Sequence, residues 1–240
     1  MMRIFNVFIL VTLCFSHVAM AGGTPKQVIQ EIAKNAEKAI KLPNGKAVVL
    51  FDKGDGGVIV ITDNPRWVVK GELYDMFQNK EIKNTHELNV ASSKIPFKKL
   101  NVDTTNLLSF TANKSKEKTL IVFIDPFDAN AYKNIEVINF TTKAYRVRYI
   151  LTPFSQESVQ KLMNFSCYVY KESVARLITR IETKKYGQTQ DVCHQDLVSK
   201  SYGLSAFLML KKSPTLIASN DVVSFGMPKS MIAFLAKNME

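Results

Sequence analysis

The sequence is poor in the groups that carry most enzymatic chemistry. Only three cysteines and three histidines occur in 240 residues, and no two cysteines stand close enough to form Cys-x-x-Cys. Thiol exchange requires a thiolate that attacks a sulfur, so a short redox motif is excluded. The chain has no Gly-x-Ser-x-Gly elbow, Gly-rich phosphate loop or His-Glu-x-x-His helix, which removes the common hydrolase, nucleotide and metalloprotease readings. Beyond residue 21 no apolar run reaches spanning length, so no membrane span is expected after the leader. Basic residues are not interleaved with aromatics in the manner of nucleic-acid binders, and nucleic acid is not an expected partner.

What is present begins with an export signal. Met1, Met2 and Arg3 form a short basic start, residues 4–15 are largely apolar, and Ala19-Met20-Ala21 supplies a small-x-small cleavage pattern. Cleavage after Ala21 is expected, and the mature chain then works outside the cytoplasm. Without Arg3 there remain 31 basic against 21 acidic residues, a net charge of +10. Lysines dominate and are scattered, which favours solubility with some attraction to anionic surfaces.

Cys14 leaves with the leader, so Cys167 and Cys193 remain. Two cysteines in an exported chain form either one structural disulfide or a redox pair. Their wide separation favours structure, and closing a loop of about 26 residues stabilises the fold by about 3 kcal/mol. His86, His194 and Cys193 do not compose a metal site, because the cysteine has a sulfur partner available and His86 lies in another region. No metal and no cofactor is expected.

Residues 24–41 place Val28, Ile29, Ile32, Ala36 and Ile40 at helical spacing after Thr24-Pro25, which predicts an opening helix. Residues 47–51, 58–62 and 67–70 are short β-branched or aromatic runs. They are divided by Gly54-Asp55-Gly56-Gly57 and Asp63-Asn64-Pro65, which predicts a small antiparallel meander. One helix and a few strands make a thin core that a second copy would thicken. Residues 81–117 read as a polar linker with helical character near 102–110. A second domain over 118–240 opens with the continuous apolar run 119–124, typical of a strand covered on both faces.

In that second domain Asp125-Pro126-Phe127 ends the strand, a helix follows over 128–142, and 146–151 read as another strand, together a parallel crossover unit. Helices are expected over 156–165, 172–184 and 193–202. Strands at 215–218 and 222–225 flank a Ser219-Asn220-Asp221 turn, and a helix over 228–237 closes the chain. The fold class is thus α+β in the first domain (22–80, after a leader at 1–21) and α/β in the second.

These pieces resemble the DsbC/DsbG-type periplasmic disulfide isomerases. Gly57-Val58-Ile59-Val60-Ile61-Thr62-Asp63 with Gly71-Glu72-Leu73-Tyr74-Asp75 resembles the family's dimerisation domain. Residues 119–133 resemble the first strand, active-site loop and helix of its thioredoxin-like domain. Ser213-Pro214-Thr215-Leu216, with Phe225-Gly226-Met227-Pro228, resembles its cis-proline strand, hairpin and final helix. The resemblance implies a thioredoxin-like domain with inserted helices, a periplasmic homodimer with a client cleft, and a structural disulfide at Cys167 and Cys193. It also implies catalytic cysteines where this chain has Asp128 and Ala131, in the loop Asp128-Ala129-Asn130-Ala131. No catalytic residue is therefore expected.

Asp128 is read as a helix N-cap, worth about 1 kcal/mol, or as an anion that keeps the charge of a thiolate. Asp125 is read as structural. A cis Pro214 would leave Ser213 facing the cleft for strand addition, whereas the plainer reading is a turn proline entering the next strand. Phe127, Tyr132 and Phe154 are expected either to line that cleft or to be core. The function expected is a dimeric chaperone or scaffold that binds unfolded or envelope proteins. The alternatives are residual thiol:disulfide interchange through Cys167 and Cys193, and an accessory role beside a conjugative or type IV secretion apparatus.

Overall fold

The structure, a computed structural model, describes residues 36–41, 47–52, 57–61, 68–187 and 193–239. The leader and residues 22–35, 42–46, 53–56, 62–67 and 188–192 lie outside the described residues, so the signal peptide and most of the expected opening helix do too. The chain divides into two compact units, Met1–Asn89 and Val90–Glu240.

The first unit carries an antiparallel meander in the order β1-β2-β3-β4: β1 (Ala36–Lys41), β2 (Val48–Asp52), β3 (Val58–Ile61) and β4 (Val68–Gly71). Residues 36–41 correct the sequence reading, which placed them in a helix. Here Ala39 pairs with Leu50 and Lys41 with Val48, so the ladder offered by β2 outweighs a modest local preference. Val49, Leu50, Phe51 and Val58 are buried. A hairpin of β5 (Leu73–Asp75) and β6 (Lys80–Ile82) follows, its turn fixed by the Asp75 carboxylate, which accepts from the N–H groups of Phe77 and Gln78. Helix α1 (Thr85–Ser92) lies across the boundary between the units.

The second unit is built on a five-stranded sheet in the order β11-β10-β8-β9-β7. Its centre is β8 (Thr119–Ile124), helix α2 (Ala131–Thr141) and β9 (Arg146–Leu151), with β8 and β9 parallel from Thr119↔Arg146 to Ile124↔Leu151. β7 (Ser109–Ala112) lies antiparallel to β9. On the other side β10 (Thr215–Ile217) lies antiparallel to β8, and β11 (Val223–Phe225) closes that edge. The helical reading of 102–110 is corrected: one 3-10 turn at Thr104–Asn106 is followed by the edge strand, because Phe110 is drawn under the sheet to stack on Tyr149 at 4.9 Å.

Alternation along the strands sorts side chains to two faces. Leu120, Val122, Ile124, Val147, Tyr149 and Leu151 join the main core with Ile135, Ile138, Phe165 and Leu177. Phe123, Ile150 and Ile217, of the opposite parity, are also buried, and Phe97 meets Phe123 edge-on at 6.2 Å. Burial on both faces explains why 119–124 is a near-continuous apolar run. Tyr149 is fully buried, its hydroxyl donating to Asn139 Oδ1 at 2.8 Å, and burial pushes its phenol well above the ordinary value.

Three helices are inserted between β9 and β10: α3 (Gln156–Val169), α4 (Val174–Glu182) and α5 (Gln195–Phe207). Ser155 and Ser173 cap the first two by accepting from Ser158 N and Arg176 N. A Cys167–Cys193 disulfide ties α3 to the approach of α5, with Cα atoms 4.9 Å apart, and the Ser166 hydroxyl lies against the Cys193 carbonyl. Helix α6 (Met231–Asn238) closes the fold with Met231 and Leu235 in the core.

Candidate functional site

Both central strands end on one hydrogen-bonded junction. Asp125, directly after β8, is buried, with Oδ1 accepting from Phe127 N–H at 2.9 Å and Oδ2 from Phe154 N–H at 3.0 Å. One carboxylate thereby fixes the loop after β8 and the loop after β9. The Asp125 N–H in turn donates to the Ser213 hydroxyl at 3.1 Å. Register explains the meeting: β10 pairs Thr215 with Phe123, so the residues just before β10 lie beside those just after β8.

The Ser213-Pro214 peptide bond is cis. Pro214 is buried, and its carbonyl accepts from Gly226 N–H at 2.8 Å. Gly226 has φ +94°, a conformation that side chains disfavour, so the approach to Pro214 calls for glycine. Neither the N–H nor the C=O of half-buried Ser213 is hydrogen-bonded among the described residues. The segment presents one unpaired N–H and one unpaired C=O, both of Ser213, beside the end of β8.

The loop beyond Asp125 differs in detail from the sequence reading. Asp128 is not the N-cap: α2 starts at Ala131 with Asn130 in the capping position, and the Asp128 carboxylate accepts from Asn130 N–H at 3.0 Å. Its backbone completes the turn, with Asp128 N donating to Asp125 O and Ala131 N to Asp128 O. The short Asx-type turn satisfies Asp128 before the helix begins, which is why it does not reach a later N–H. Ala131 is buried, whereas Ala129 and Asn130 are exposed.

Phe127 is half-buried in an aromatic cluster, edge-on to Tyr186 at 4.6 Å and to Phe165 at 6.1 Å. Tyr186 donates to Pro126 O at 3.3 Å, and burial, then the nearby charge of Asp125, raises its phenol above the ordinary value. Tyr132 is half-buried on the first turn of α2, its phenol raised by the charges of Glu136 and Glu182. The junction therefore joins Asp125, Phe127, Phe154, Ser213 and Pro214, while the polar neighbours of Tyr132 are acids of α2 and α4. Tyr186 was missed from sequence, and no local pattern marks it: it follows Lys184-Lys185 and meets Pro126 across 60 positions.

His86 is exposed on α1 and His194 sits edge-on to Tyr170 at 4.9 Å before α5. Among the described residues no group of His, Cys, Asp or Glu side chains could hold a metal ion, and no helix is long and apolar enough to cross a membrane.

The strand order, the parallel β8-α2-β9 unit and the hairpin entered through a cis proline define the second unit as thioredoxin-like. Among solved structures the chain is similar to a disulfide interchange protein from Neisseria gonorrhoeae, at 14% identity and a TM-score of 0.46, over 58% of this chain and 99% of that one. It is also similar to Helicobacter pylori DsbG, at 15% identity and a TM-score of 0.40, over 80% of this chain and 97% of that one. No family model and no curated protein matches the chain.

Proposed function

We propose that this chain is an exported, dimeric, thiol-silent relative of the DsbC/DsbG-type proteins that holds extended or unfolded polypeptide at the Ser213-Pro214 segment. The observation that supports the reading is the pairing of an unpaired backbone before a cis proline with a thiol-free loop. Ser213 offers an unpaired peptide N–H and C=O before a cis proline, while the loop after β8 holds Asp128 and Ala131. A client strand can hydrogen-bond to such a segment without any sulfur. Dimerisation through the first unit is supported by its thin meander and by apolar side chains in solvent: Val69 is 58% and Met76 79% exposed. General chaperoning and service to a single envelope or secretion-apparatus partner are variants of the same binding, and a pull-down from envelope extract separates many clients from one stoichiometric partner.

The test is suppression of aggregation of a cysteine-free client. Suppression at equimolar dimer, unchanged by reductant and weakened by Pro214→Ala, supports the reading; no suppression contradicts it. The enzymatic alternative, thiol:disulfide interchange, has only Cys167 and Cys193 to use. Insulin reduction that disappears with Cys167→Ser would overturn the binding reading.

A further inference from the structure

β7 is an edge strand whose one sheet neighbour among the described residues is β9. Leu151 N–H donates to Leu108 O at 2.8 Å, which sets the alternation of the antiparallel ladder. Phe110 and Ala112 turn their peptide groups toward β9, so Ser109 and Thr111 turn theirs outward. Those outward groups have no partner among the described residues. An open ladder of this kind accepts an added strand.

The space beside that edge is already shaped and charged. A cavity of about 810 Å³ is lined by Ser109, Thr111, Lys114, Arg146, Arg148 and Tyr170, among others. Arg146 and Arg148 alternate along β9 on the parity of Thr111, which pairs with Arg148. Arg146 is steadied by Nε and Nη2 donating to Lys114 O at 3.1 and 2.8 Å, and Arg148 by Nη1 donating to Thr104 Oγ1 at 3.0 Å. Among the described residues neither arginine has a carboxylate within salt-bridge distance. The nearby acids are occupied: Glu172 is held by Arg180 at 2.6 and 2.7 Å, and Asp103 accepts from Thr105 and Asn106. The Asp103 carboxylate lies near enough for Arg148 to feel its charge, but neither guanidinium has a carboxylate in contact among the described residues, and half-buried guanidinium groups held in place this way are suited to bidentate capture of carboxylates.

The geometry points to an extended acidic segment of a partner protein as the occupant, added to β7 as a sixth strand with carboxylates at alternate positions over Arg146 and Arg148. Residues i and i+2 of a strand are about 7 Å apart on either side of the interface, so the acidic repeat and the arginine repeat keep step. Backbone pairing supplies affinity, and the two arginines supply the choice of sequence.

The test uses the mature full chain and a fluorescent eight-residue peptide of alternating Glu and Thr. Comparison probes are the Lys/Thr analogue, a copy N-methylated at alternate amides, and inorganic phosphate. Expected are saturable binding of the Glu/Thr peptide, loss of at least tenfold affinity with either Arg146→Glu or Arg148→Glu, similar loss on N-methylation, and slower amide exchange at Ser109 and Thr111. Arg148→Gln serves if the reversal fails to fold. Equal binding of the N-methylated or Lys/Thr peptide, full displacement by phosphate at comparable concentration, or unchanged exchange at Ser109 and Thr111 would each overturn the assignment.

Discussion

Asp125 and Ser213 are joined across 88 positions by a 3.1 Å hydrogen bond from the Asp125 N–H to the Ser213 hydroxyl. The same aspartate receives Phe127 N–H and Phe154 N–H on its two carboxylate oxygens, so one residue joins three chain segments.

Replacing Asp125 by Ala leaves two partly buried backbone N–H groups without their acceptor. Each unmet group costs about 1–3 kcal/mol, so a loss of about 2–6 kcal/mol is expected in urea unfolding. Asp125→Asn keeps one acceptor and falls between, and Ser213→Ala costs about 1 kcal/mol.

Glu172 and Arg180 form a two-point pair, and the Arg180 guanidinium lies 3.8 Å from the Tyr168 ring centre. The hydrogen bond from Arg180 is the main reason the Glu172 carboxyl is held below its ordinary value of 4.5. A carboxyl lowered on folding stabilises the native state above its unfolded value, and that contribution fades as pH falls through the folded one. Glu172→Gln is therefore expected to lower stability by about 1 kcal/mol at pH 7 and to have almost no effect well below pH 4, read from unfolding curves at the two pH values.

The Cys167–Cys193 bond pins α3 to the approach of α5. Reduction, or Cys167→Ser with Cys193→Ser, is expected to cost about 3 kcal/mol of stability while leaving client binding below the melting range intact. Calorimetry alongside the aggregation assay checks both parts.

How far the sequence carries depends on whether the deciding interactions are local. The run 119–124, the alternation of Arg146-Val147-Arg148-Tyr149 and the Ser219-Asn220-Asp221 turn each announce their element, because their side chains alone meet both the period and the turn chemistry. Residues 36–41 misled, since their apolar spacing fits a helix and only pairing with β2 makes a strand. The edge strand Ser109–Ala112 is four residues long and takes its register from β9, which local composition does not contain. At the site, Pro214 and the thiol-free loop were legible as residues. The Asp125 junction and the Tyr186 contact were not, because each depends on a partner 29 or more positions away.

If the scaffold around the loop is intact, sulfur should restore chemistry to it. Asp128→Cys with Ala131→Cys places a thiol pair at the start of α2, where helix N-termini favour thiolates. Insulin reduction at least tenfold above that of the unaltered chain is expected.

The most direct measurement is amide hydrogen exchange at Ser213 with and without a saturating unfolded, cysteine-free client. Strand addition at the cis-proline segment predicts at least tenfold slower exchange of the Ser213 N–H in the presence of client. An unchanged Ser213 rate under conditions where the client is bound would contradict the account.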